Sequence, residues 1–162
     1  MSKLKLEEVL ELLKAALSGV ECLIGEESGI PTVRVHPENL LEAAKKLKES
    51  GFDHVKSVTG LDYPDEGEIE VVYHVSSYTK PELTKVIVAL KARVKRDSPK
   101  LTSLYGIWPS SAYLESETYD LMGVEFEGNP KQRRLLLPED YEGIPPLRKD
   151  FKIPVEGVDA VE

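Results

Sequence analysis

The stretch F-D-H-V-K-S-V-T-G-L-D-Y-P-D-E-G-E-I-E-V-V-Y-H-V-S, residues 52–76, decides the fold. Two runs within it, 52–61 and 69–76, are rich in β-branched and aromatic residues, which suit a pleated, half-buried surface. Between them, Asp62-Tyr63-Pro64-Asp65-Glu66-Gly67 gathers turn formers. Proline presets one turn dihedral and glycine supplies a positive one, so the segment reads as the turn of a β-hairpin. Downstream, residues 83–96 alternate, with Val86, Val88, Leu90, Ala92 and Val94 on one side. That period of two predicts a third strand of a meander. Helix is the alternative there, because Ala, Leu and Lys are frequent in the segment.

Working outward, Leu6, Val9, Leu10, Leu13, Ala16 and Leu17 recur at helical spacing. Ser2 is placed to cap that helix and Gly19 to end it. Residues 20–24 and 30–35 read as short strands around a turn at 25–29. Pro31 lacks a backbone donor, which places the second strand at an edge or makes the proline its first residue. A second helix starts at Pro37, buries Leu40, Leu41, Ala44 and Leu47, and stops at Ser50-Gly51. A third, over 110–122, follows Trp108-Pro109 and ends at Gly123, with a short strand at 124–126. The expectation is an α/β fold of the α+β type. A mixed, mainly antiparallel sheet carries packed helices over residues 1–127.

From Gly128 the pattern changes. Pro130, Pro138, Pro145, Pro146 and Pro154 interrupt every run, and no helical or strand period survives. Yet Leu135, Leu136, Leu137, Ile144, Leu147, Phe151 and Ile153 would prefer burial. Residues 128–162 therefore read as an extended partner-binding tail that takes its shape only on foreign protein. Arg133, Arg134, Arg148 and Lys149 interleave with Glu139, Asp140, Glu142 and Asp150. A hydrated tail with local ion pairs is one reading. Anchoring at an interface, where the arginine fork grips carboxylates, is the one favoured by the neighbouring leucines and prolines.

Composition excludes several classes. A net charge of -8 without a basic stripe argues against nucleic-acid binding. No apolar run reaches the roughly 20 residues that cross a bilayer. Residues 1–17 carry acids among their leucines and read as a mature start, not a signal peptide. Cys22 is the sole cysteine, so neither an internal disulfide nor a four-thiolate cluster fits in this chain. In its apolar setting it reads as a buried inert thiol, a reactive one being the alternative. Asn39, Asn129 and Gln132 are the only amide side chains, and with abundant Lys and Glu this is a heat-adapted pattern.

Catalytic motifs are sparse. No glycine-rich phosphate loop, nucleophile elbow or metal-spaced histidine pair occurs. His74, within an apolar strand, reads as a hydrogen-bonded strand histidine. Ser77-Tyr78-Thr79-Lys80 fits a bare S-x-x-K pattern without its companion motifs. Glu115, Glu117 and Asp120 form the best acid cluster, Glu117 and Asp120 sharing a helix face. A small stand-alone enzyme using Glu117 and Asp120 is the reading of a different class. A solvated face or pairing with cations is the simpler one.

The segments E-S-E-T-Y-D-L-M-G, residues 115–123, and V-E-F-E-G-N-P-K-Q-R-R-L-L-L-P-E-D-Y-E-G-I-P-P-L-R-K-D-F, residues 124–151, closely resemble the respiratory complex I 30-kDa subunit family. Members of that family serve NADH:quinone oxidoreductases. S-V-T-G-L-D-Y (57–63) and E-V-V-Y-H-V (70–75) share the likeness, which covers roughly residues 30–154. Glu115, Glu117, Asp120, Leu121 and Gly123 fall on the first motif. Pro130, Arg133, Arg134, Leu136, Pro138, Glu139 and Asp140 fall on the second, and Pro146, Leu147, Arg148, Lys149 and Asp150 on the third. Ser116, Met122, Asn129 and the Ile144-Pro145-Pro146 step depart from the pattern and weaken assignment to the NADH-oxidising branch.

The resemblance implies a subunit with no catalytic, cofactor or metal residues of its own. Iron–sulfur clusters, and nickel–iron in some relatives, would sit in partner subunits. The implied partners are a large catalytic-type (49-kDa or NiFe-like) subunit and an iron–sulfur cluster subunit. The complex would be ion-translocating, with this chain peripheral on the cytoplasmic side of the membrane and reaching the membrane only through its partners. Glu115, Glu117, Asp120, Arg133, Arg134, Leu135, Leu136, Leu137, Pro138, Arg148, Lys149 and Asp150 are the implied partner-interface residues. An archaeal membrane-bound hydrogenase or a ferredoxin-linked sulfur reductase is favoured, with an NADH- or coenzyme-linked quinone oxidoreductase as the alternative.

Overall fold

The computed structural model describes residues 4–153, so Ser2 and tail residues 154–162 lie outside the described residues. Helix α1 spans Leu6–Ala16, with Lys5 at its N-cap and the Lys5 N–H donating to the Glu8 carboxylate at 2.7 Å. Strands β1 (Cys22–Glu27) and β2 (Ile30–Val35) form a hairpin. Ser28 and Gly29 both take positive φ, 51° and 80°, the twist that a two-residue hairpin turn demands. The turn is therefore shorter than expected, and β1 runs later in the chain than residues 20–24. Strand β2 lies inside the sheet and Pro31 is its second residue, so neither expected placement holds. Pro31 is tolerated because it stands just before Thr32, the first β2 residue paired with β5 (Val88–Lys95), and its missing donor breaks no ladder bond to β5.

Helix α2 (Leu40–Ser50) follows a 3-10 turn at Pro37–Asn39 and ends at Gly51, φ 118°. It buries Leu40, Ala43, Ala44 and Leu47, while Leu41 is 46% exposed. The i, i+3, i+4, i+7 spacing selects Ala43, and Leu41 falls beside the stripe. Strands β3 (His54–Tyr63) and β4 (Glu68–Ser76) form the expected hairpin across a 3-10 turn at Pro64–Glu66. The third meander strand, β5, pairs antiparallel with β4. It starts later than expected, because Pro81–Leu83 makes another 3-10 turn.

The sheet order is β1-β2-β5-β4-β3, with β2–β5 the one parallel pair among the described strands of this sheet. Ile69, Val71, Tyr73 and Val75 of β4 share a core with Val9 and Leu13 of α1 and Leu40 and Leu47 of α2. The opposite face carries charge. Glu70, 1% exposed, takes Arg34 at 2.7 Å and Arg93 at 3.0 Å, with the Lys91 ammonium at 3.6 Å. His74 on that face meets the Ser57 hydroxyl at 3.0 Å, as a strand histidine should. Cys22 is half-buried, and desolvation pushes its thiol up.

Strand β6 (Lys100–Thr102), helix α3 (Ser111–Met122) and β7 (Glu125–Glu127) complete the domain, β6 and β7 pairing in parallel. Trp108, 1% exposed, donates its indole N–H to Phe52 O at 2.9 Å and ties the α3 approach to the α2 exit. Helix α3 seats against β3 at Gly60, where a Cβ would stand 2.5 Å from Met122 Cγ. Gly60→Ala is therefore expected to destabilise the protein by about 1–3 kcal/mol through overpacking, read as a lower denaturant midpoint with unchanged slope.

Candidate partner interface

The tail has neither helix nor strand from 128 to 153. Its path is set by α3, whose polar groups bond it in three places. At the N-terminal half, the Asn129 amide donates to Ala112 O at 2.9 Å and to Glu115 Oε2 at 3.0 Å. The Ser116 hydroxyl reaches Lys131 O at 2.8 Å, and Gln132 Oε1 accepts the Phe126 N–H at 2.6 Å. In the middle, Asp120 Oδ2 accepts the N–H groups of Leu135, Leu136 and Leu137 at 3.2, 2.7 and 3.1 Å. Arg134 bonds the other Asp120 oxygen at 3.3 Å and Tyr141 O at 3.2 Å, with its guanidinium over the Tyr119 ring.

At the C-terminal end of α3, the last-turn carbonyls need donors from outside the helix. Leu147 N–H donates to Leu121 O and Arg148 Nε to Met122 O, both at 2.9 Å. Gly123, φ 78°, is required twice over: a Cβ there would also press on Arg148 Nη2 and Pro145 at 3.0 Å. The chain then crosses to the sheet. Lys149 N–H donates to Asp62 Oδ2 at 2.9 Å, and Arg96 bridges Asp62 at 2.7 Å and Asp150 at 2.9 Å.

The tail thus has a shape on its own domain, which corrects the expectation that it gains one only on foreign protein. The physical reason is that α3 and Asp62 offer acceptors for its amides and arginines.

Glu115 and Asp120 are also corrected. Both have 0% exposed surface, so they organise the tail from within and present nothing to a partner. Glu115 accepts from the Tyr73 hydroxyl at 2.8 Å, the Ser103 hydroxyl at 2.6 Å, the Leu104 N–H at 2.8 Å and Asn129. Burial pushes the Glu115 carboxyl up against these donors, and Tyr73 beside it is pushed well above its ordinary value. Glu117 is exposed, so it shares no environment with Asp120, and the acid pair imagined for a small enzyme does not form. Asp120 spends its lone pairs on the tail. Among the described residues, no group of three His, Cys, Asp or Glu side chains is gathered to hold a metal, and no helix is long and apolar enough to cross a membrane.

Several apolar side chains of the tail face outward, among exposed charged ones such as Arg133, Glu139, Asp140, Glu142 and Lys149. Leu136 is 66% exposed, Leu147 58%, Ile153 78%, Ile144 44% and Leu135 37%. Leu137 is half-buried, and Arg133, Pro138 and the Lys149 side chain are at least partly exposed. The structure divides the expected interface set: Arg134, Arg148 and Asp150 bond the tail to its own domain, while the leucines look out. Sequence reasoning missed Asn129, Gln132, Asp62 and Arg96. A signal was present for two of them, because Asn129 and Gln132 stand out in an amide-poor chain.

Acid should loosen this arrangement. At Asp62, hydrogen bonding from Arg96 holds the carboxyl below the usual range. At Asp120, burial pushes upward, but the amides of Leu136, Leu137 and Leu135 together with Arg134 outweigh it and hold the carboxyl low. A carboxyl lowered by folding adds stability above its unfolded pKa, near 3.9, and loses it as pH falls through the folded value. Glu115 has the opposite sign, since ionising a raised carboxyl weighs against the folded state as pH rises past about 4.3. Protease cleavage within 135–147, normalised to a peptide of the same sequence, is expected to accelerate as pH drops below about 4.

Fold and tail together define an α+β domain with a C-terminal arm bonded along α3. The family described as respiratory-chain NADH dehydrogenase, 30 Kd subunit, matches residues 33–156, and the chain belongs to that family. It is 42% identical over 119 residues to the C subunit of the F(420)H(2) dehydrogenase of Methanosarcina mazei, covering 73% of each chain. It is 38% identical to the C subunit of the NADH-quinone oxidoreductase of Moorella thermoacetica, over 83% of this chain and 88% of the relative. Among solved structures, the membrane-bound sulfane sulfur reductase, an archaeal respiratory membrane complex, contains a chain matching with TM-score 0.74 and 29% identity. That match covers 91% of this chain and 85% of the other. The chain is therefore a 30-kDa-type subunit of the kind found in complex I-like oxidoreductase complexes.

Proposed function

We propose that the chain is a cofactor-free structural and assembly subunit in the peripheral arm of an ion-translocating membrane oxidoreductase. Its domain docks beside a large catalytic-type subunit, and its tail lies across that subunit and an iron–sulfur cluster subunit, on the cytoplasmic side of the membrane. Holding those neighbours in register keeps electron-transfer distances fixed. The carrying observation is the tail itself: backbone amides with Arg134 and Arg148 bond inward, while Leu136, Leu147 and Ile153 stand exposed. Exposed apolar patches of this kind mark protein contacts. The residues we assign to the interface are Arg133, Leu135, Leu136, Leu137, Pro138 and the Lys149 side chain.

The match to the sulfane sulfur reductase chain favours a sulfur-reductase or hydrogenase type of complex. The 42% identity to the F(420)H(2) dehydrogenase relative favours a coenzyme-linked one, which is the second reading. Few amides and the ion lattice around Glu70 support a heat-adapted source.

Purification of the affinity-tagged chain from its native membranes tests the proposal. Iron–sulfur and large catalytic-type subunits should come with it, and the donor that reduces the clusters separates the two readings. Recovery of the chain alone, with oxidoreductase activity of its own, would contradict it.

A further inference from the structure

Three successive amides, those of Leu135, Leu136 and Leu137, converge on a single oxygen of the fully buried Asp120. In a strand, successive N–H groups alternate in direction, so such convergence requires a curled backbone. Curled amides of this kind form a concavity that suits an anion, and Asp120 is the anion. Further on, the tail meets a second aspartate. Asp62, 4% exposed, accepts the Lys149 N–H, and Arg96 joins Asp62 to Asp150. The segment between these points carries exposed Leu136, Ile144 and Leu147.

We propose that Asp120 and Asp62 form a two-point latch that gives the tail its docking shape before any partner arrives. The partner then meets Leu136, Ile144 and Leu147 as a ridge already held in place. The proposal rests on reading that ridge as the docking surface. Ordering a loose segment at the moment of binding lowers affinity, and a latched arm has already lost that entropy. Asp120 and Asp62 are thus positioning residues, acting on assembly without touching the partner.

Amide hydrogen exchange on the isolated full chain is the test. In the wild type, the amides of Leu135, Leu136, Leu137 and Lys149 should exchange at least about a hundredfold slower than in an unstructured peptide. Asp120→Ala should speed exchange at 135–137 about tenfold or more, with the β4 amides of Val71 and Tyr73 unchanged as the control for folding. Asp120→Asn keeps one acceptor oxygen and should fall between, so a graded response remains if the alanine variant folds poorly. Asp62→Asn should act at Lys149. The share of tagged chain recovered in the membrane complex should drop about tenfold for Asp120→Ala under limiting expression.

Peptide-like exchange of those amides in the wild type would overturn the latch. So would an Asp120→Ala chain that loosens yet assembles as well as the wild type. If Leu136→Asp assembles normally while the amides stay protected, it is the docking-surface reading that fails, not the latch.

Discussion

Replacing Glu115 by alanine is expected to destabilise the isolated protein by about 3–5 kcal/mol, measured by chemical denaturation. The size follows from what the carboxylate holds. The Tyr73 hydroxyl, the Ser103 hydroxyl, the Leu104 N–H and the Asn129 amide all donate to it in a space with no exposed surface. Removing the acceptor strands those donors, and each buried unsatisfied group costs about 1–3 kcal/mol. Relaxation and the relief of a buried charge reduce the simple sum. Glu115→Gln keeps one acceptor oxygen but turns its N–H2 toward donors, so roughly half the loss is expected. The mechanism has a sharper check in a cycle with Tyr73→Phe. The double variant should fall short of the summed losses by about 1–2 kcal/mol, because the phenol no longer needs a partner. Additive losses would mean that the pair is not coupled.

The second large effect lies on the outside of the molecule. Leu136→Asp combined with Leu147→Asp is expected to remove the chain from its membrane complex while leaving its own stability within about 0.5 kcal/mol of wild type. Leu136 and Leu147 are 66% and 58% exposed, so a carboxylate there is solvated in the isolated chain. At a closed apolar interface the same carboxylate must shed its water, at about 2 kcal/mol or more per site. Two such sites lower association by roughly a thousandfold. Size-exclusion profiles and subunit recovery from membranes report the loss, and calorimetry on the purified chain reports the intact fold. Arg134→Ala makes the contrast. It removes an inward contact to Asp120 and Tyr141, so it should loosen the tail without placing a charge in the interface.

The sheet was legible in the sequence because its signals are local. The hairpin of β3 and β4 rests on β-branched runs around a proline–glycine turn, and β5 on a period of two. The parallel β2–β5 pair was not legible, since no local pattern says which strand neighbours a strand far along the chain. The same limit explains the tail. Prolines declared that it was irregular, and leucines that it wanted a surface, but its first surface is α3 of its own chain. That depends on Asp120 and Asp62 being buried and aimed at backbone amides, a property of tertiary placement. Motif resemblance marked Glu115 and Asp120 as important positions without saying how they act. Their burial turns an expected contact with a partner into internal scaffolding, while Leu136 and Leu147 keep the outward role.

Cysteine accessibility measures the outward role most directly. Cys22 is the sole cysteine, so Leu136→Cys in a Cys22→Ser background gives one reporter on the ridge. The thiol should react readily with a maleimide in the isolated chain and at least about tenfold more slowly in the intact membrane complex, where the ridge is covered. Equal labelling rates in the two states would mean that the ridge stays in water, and the tail would not be the element that joins this subunit to its neighbours.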